Sequence, residues 1–98
     1  MEIIVETFRA FGEASAAAIR VRPLAGQGFS TALRVECSRS MRQQHPVGML
    51  FRLAVKPIER EGTPLLYAHD AAPFERVTPD AAQRFIAEKY RRTGATMP

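Results

Sequence analysis

One cysteine, Cys37, occurs in the 98 residues. No intramolecular disulfide can form, and a thiolate-rich metal site is excluded. Tryptophan is absent, and the two histidines, His45 and His69, have no third ligand at a recognisable metal-binding spacing. No metal or cofactor is implied. Lysine is nearly missing as well: of the 14 basic residues only Lys56 and Lys89 are lysines. The rest are arginines, which suit bidentate contact with phosphate or carboxylate. No apolar run approaches the ~20 residues needed to span a bilayer, so no membrane span is expected. The opening Met-Glu-Ile-Ile-Val-Glu lacks the basic region, long apolar region and small-residue cleavage site of a signal peptide. A cytoplasmic location is the expectation.

The motifs that would announce catalysis are missing too. Gly26-Gln27-Gly28 lacks the third glycine, the following helix and the Lys-Ser or Lys-Thr of a phosphate loop, and reads as a turn. His69 and Asp70 are sequence neighbours, and neighbours on an extended strand point to opposite sides, so they do not make an acid–base dyad. Cys37, at an inward position by alternation, reads as a buried structural thiol. The chain is expected not to be an enzyme.

What is present is the pattern of a soluble α+β domain, with 46% hydrophobic and 24% charged residues and a formal net charge of +4. Residues 49–55, Met-Leu-Phe-Arg-Leu-Ala-Val, are apolar on both alternating faces apart from Arg52, which marks a central strand. Residues 2–11 also carry apolar bulk on both faces. They compete between strand and helix, because Ile4, Phe8, Phe11, Ser15, Ala18 and Ile19 fall near a helical period. The β-branched start and the alternation Ile19-Arg20-Val21-Arg22 favour two strands joined through Gly12 to Ser15.

A third strand is expected over residues 29–38, set against the second so that Arg20 faces Glu36 and Arg22 faces Arg34. Residues 39–48 read as a polar surface loop. Pro57 ends the central strand, a charged hairpin tip follows, and residues 65–69 return as a fifth strand. Residues 70–77 form an irregular connection, with Pro73 and Phe74 packing back. Thr78 as N-cap, Pro79 and Asp80 begin a helix that runs to about Arg92 and ends at Gly94. Its apolar stripe is Ala82, Phe85, Ile86 and Tyr90, and Asp80, Arg84, Glu88 and Arg92 are spaced to pair along it.

The expected fold is therefore an antiparallel sheet of about five strands in meander order, open to curling into a half-barrel, with one C-terminal helix on a face. Residues 1–92 form the domain and 93–98 a flexible tail. Five strands at ~4.8 Å make a sheet roughly 24 Å wide, against ~10 to 12 Å for one helix. Apolar strand surface then remains to be covered, and a homodimer is the expected cover.

The leading functional reading is a small non-catalytic binding or assembly domain acting as a homo-oligomer. The alternative rests on Arg20, Arg22, Arg34, Arg39 and Arg42, joined by Ser38, Ser40, Gln43 and Gln44. These donors suit backbone-directed binding of nucleic acid or another polyanion, without exposed aromatics for base reading. A third reading is a small ligand held between sheet and helix.

Overall fold

A computed structural model of the chain describes residues 1–9 and 19–95, with side chains through Tyr90. The fold is α+β: mostly antiparallel strands, no closed barrel, and a helix at the C-terminal side. Seven strands are described in two sheets, where about five in one meander were expected.

The first sheet has the order β2-β1-β4-β7, built from β1 (Glu2–Arg9), β2 (Ile19–Pro23), β4 (Leu50–Ala54) and β7 (Phe74–Val77). Both strands with two apolar faces, β1 and β4, lie inside it, with Val5 opposite Phe51. An interior strand has a layer on each side, which is why neither can alternate apolar with polar. Of the strand expected over residues 2–11, Glu2–Arg9 is described as β1, and the alternation Ile19-Arg20-Val21-Arg22 lies in β2, which pairs antiparallel with it. Their connection through Gly12 to Ser15 lies outside the described residues.

One face of this sheet is covered by α2 (Pro79–Ala95). Thr78 caps it as the sequence indicates, its hydroxyl accepting from the Ala81 N–H at 3.1 Å. The stripe works as read: Ala82 and Ile86 are buried with Ile4, and Phe85 and Tyr90 pack beside them with Leu24, Leu50 and Val77. The helix continues past Gly94 to Ala95. Sheet burial of its stripe outweighs the roughly 1 kcal/mol a mid-helix glycine costs. Asp80, Arg84 and Glu88 stay exposed and make no ion pair among the described residues.

The opposite face supplies the main correction. It is covered within the chain by a second sheet of order β3-β6-β5, from β3 (Val35–Glu36), β5 (Lys56–Arg60) and β6 (Thr63–Tyr67), together with the short α1 (Arg39–Gln43). Ile3, Val5, Val21, Phe51 and Leu53 of the first sheet form one buried cluster with Val35, Met41, Val55, Leu66 and Ala68 of this second layer. His45, Phe51 and Phe74 add edge-to-face ring contacts at 5.1 to 5.9 Å between centroids. The second wall inferred from surplus strand area therefore exists, and this chain builds it.

Local chemistry explains where the elements differ from the sequence reading. Residues 29–33 are not strand: the Ser30 carbonyl accepts from Leu33 N–H at 3.1 Å, and its hydroxyl from Ala32 N–H at 3.1 Å. Serine thus closes a turn on itself, leaving only Val35–Glu36 to pair, in parallel with Leu66 and Tyr67. Residues 39–43 are not loop, because Ser38 caps the Met41 N–H at 3.2 Å and Met41 is fully buried.

Pro57 does not end strand structure. The chain bends after β4 into β5, an edge strand that tolerates the donor Pro57 lacks. The hairpin tip is Glu61-Gly62 at φ of 52° and 80°, the mirror-image turn that matches strand twist. Arg20 and Arg22 face Phe8 and Glu6 across β1, not Glu36 and Arg34.

Candidate functional site

Two neighbouring clefts run along the side of the molecule where the edge strand β2 meets the second layer. The first, of about 220 Å³, is lined by Arg20, Arg34, Arg42, Glu36, Tyr67 and Asp70, with Val35, Cys37 and Ala68 as its floor. The second, of about 450 Å³, is lined by Phe8, Arg20, Val21, Arg22 and residues 31–34. Arg20 and Arg34 belong to both, so the clefts adjoin as one groove.

Each arginine arrives by a different route. Arg20 and Arg22 alternate with buried Val21 and Pro23 on β2, and a long side chain on an edge strand reaches around to the next layer. Arg34 directly precedes β3, where its carbonyl accepts from the Leu66 N–H at 2.9 Å. Arg42 lies in the last turn of α1. Four of the five arginines singled out in the sequence thus line the groove. Arg39, exposed at the first position of α1, lines neither cleft.

Their electrostatic states differ. Arg22 is committed: its Nε donates to Glu6 Oε1 at 2.8 Å, and its guanidinium sits 4.3 Å from the centre of the Phe8 ring. Glu36 is bound by Arg60, whose Nη1 lies 2.6 and 2.5 Å from its two carboxylate oxygens. That bond also holds the Arg60 guanidinium above its ordinary pKa. Arg34, Arg42 and Asp70 make no ion pair among the described residues. Arg42 Nε is moreover buried without a hydrogen-bond partner. A buried donor left unmet costs about 1–3 kcal/mol.

Cys37 borders the same cleft, and its thiol is pushed up to about 11. Burial is the largest cause, Arg42 opposes it, and Asp70 adds to it. At neutral pH it is a neutral wall and not a nucleophile. His69 and Asp70 face different hollows: Asp70 the arginine cleft, His69 one of about 300 Å³ lined also by Ala54, Val55, Lys56, Tyr67 and Ala72. The His69 Nδ1 accepts from the Ala71 N–H at 3.1 Å. No three His, Cys, Asp or Glu side chains gather as a metal-ligand set among the described residues. No helix among them is long and apolar enough to cross a membrane.

Three contributors were not anticipated. Tyr67 reads as core by alternation with Leu65 yet is half-buried at the junction of two hollows. Phe8 lies under Arg22 in the groove, and Asp70, read from the sequence only beside His69, lines the arginine cleft. The parallel pairing of β3 with β6 brings Tyr67 and Asp70 to Arg34, and no local signal marks a pairing across that sequence distance.

Compared with known proteins, the chain matches no family model, no curated protein and no solved structure. Function has to be argued from the groove itself.

Proposed function

We propose that the chain is a non-catalytic binding protein that takes polyanions, foremost the phosphate backbone of nucleic acid, along its arginine-lined groove. One observation carries this reading: Arg20 of β2, Arg34 just before β3 and Arg42 of α1 line one cleft, and neither Arg34 nor Arg42 has a carboxylate partner among the described residues. A guanidinium offers a planar fork of donors to phosphate oxygens, and backbone contacts of this kind give affinity without sequence selection. Self-association was inferred from uncovered sheet. The second layer and α2 cover it, so the groove is the stronger argument.

Electrophoretic shift or fluorescence anisotropy with a single-stranded oligonucleotide at ~50 mM salt tests the reading. Binding is expected, weakening as salt rises with a log–log slope of about −2 for three phosphate contacts on a single strand. Arg34→Glu, at an exposed position, is expected to weaken it by an order of magnitude or more, since reversal turns an attraction into a repulsion. Absence of any retention at that salt would end the proposal.

A further inference from the structure

The 220 Å³ cleft is two-signed. Arg34 and Arg42 stand in it without a carboxylate partner, and Asp70 stands in it without a cationic one, although all three line the same space. Unlike charges that share a cleft and do not bridge match a ligand with acceptor groups at one end and N–H donors at the other. A chain of phosphates alone fits this poorly, because Asp70 repels it. Glu36, the other carboxylate, is already held by Arg60, so Asp70 is the acceptor left for a ligand.

Beside Asp70 lies the half-buried ring of Tyr67, which lines the arginine cleft and the adjoining hollow of about 300 Å³. A nucleobase with an exocyclic amine meets these conditions, since its amine donates to a carboxylate and its ring stacks on an aromatic. In a duplex the face of the base is stacked on its neighbours, so the base that stacks on an aromatic ring must be unpaired.

We infer that Tyr67 and Asp70 form a base subsite for an amine-bearing nucleobase, cytosine, adenine or guanine, of a single-stranded nucleic acid whose phosphates lie on Arg20, Arg34 and Arg42. The inference rests on the polyanion reading and names its ligand. A free nucleotide offers the same phosphate and base. The single strand is favoured because the groove continues past Arg20 and Arg34 into the 450 Å³ cleft beside Arg22 and Phe8, room that one nucleotide does not use.

The test is anisotropy at ~50 mM salt with four probes: 12-residue oligo-C, 12-residue oligo-T, inorganic polyphosphate and cytidine monophosphate. Oligo-C is expected to bind about 10-fold more tightly than oligo-T, within the range of one good base contact. Asp70→Ala is expected to erase that preference and to strengthen polyphosphate binding. Tyr67→Leu is expected to weaken both oligonucleotides by roughly 10-fold, the scale of one lost stack, with polyphosphate unchanged. Thermal unfolding separates loss of the stack from loss of the fold, and Tyr67→Phe, which keeps the ring, is expected to bind as the parent does.

Equal affinity for oligo-C and oligo-T, or a preference that survives Asp70→Ala, overturns the base subsite while polyphosphate binding leaves the groove reading standing. Cytidine monophosphate binding as tightly as oligo-C overturns the single strand as ligand. Failure of all four probes to bind overturns both readings.

Discussion

Gln27 does with a side chain what β2, ended at Pro23, no longer does with its backbone. Its Oε1 accepts from the Ile4 N–H at 2.7 Å, and its Nε2 donates to the Ile4 and Leu24 carbonyls at 2.7 and 2.9 Å. Gly26 and Gly28, at φ of 94° and 82°, bend the chain on either side so that this amide turns inward. Gln27→Leu leaves the buried Ile4 N–H without an acceptor. It is expected to lower unfolding free energy by about 1–3 kcal/mol in urea titration.

The glycines of this turn were legible in the sequence, whereas the reason for the glutamine between them was not. A side chain that completes a sheet edge has no sequence signature. Cys37, expected to be buried, is half-buried at the edge of the cleft, and its chemistry follows from that partial burial. With its thiol pushed up to about 11 from an ordinary 9.0, the native protein is expected to react with a thiol reagent at pH 8 roughly 100-fold more slowly than the urea-unfolded chain. Because that pKa is raised in the folded state, stability is unaffected below about pH 9 and falls as pH climbs toward 11, where the unfolded thiol ionises first. Cys37→Ser is expected to flatten this alkaline limb in pH-dependent melts.

Among the elements, those fixed by local chemistry were readable. Thr78-Pro79-Asp80 starts α2, Glu61-Gly62 turns the β5–β6 hairpin, and two-faced apolar runs mark β1 and β4. Thr78→Ala is expected to cost about 1 kcal/mol in thermal unfolding, the usual effect of losing such a cap. What escaped was set by competition. At residues 29–33 clean alternation loses to a serine turn, and in α1 a five-residue helix is too short for its periodicity to show. Of the five arginines singled out in the sequence, Arg20, Arg22, Arg34 and Arg42 line the groove and Arg39 does not. Tyr67 and Asp70 were not legible as part of the groove, because β6 joins β3 only through the tertiary fold.

At the scale of the whole molecule, the four-stranded sheet is the middle of three layers, with α2 on one side and the second sheet with α1 on the other. Among the described residues only Met1 and Val47 are large hydrophobics left exposed. The outer edge of β5 carries Lys56, Pro57, Glu59 and Arg60, residues that discourage strand addition. Light scattering at micromolar concentration is therefore expected to give a 10.9 kDa monomer. A stable dimer would mean that an interface other than bare sheet exists.

The parallel register of Val35 with Leu66 and Glu36 with Tyr67 has a consequence for synthesis. A nascent chain that has emerged only as far as the β5–β6 turn already holds Arg20, Arg34 and Arg42, but β3 still lacks its strand partner. The groove therefore matures late, once translation has delivered β6, as a by-product of finishing the second layer.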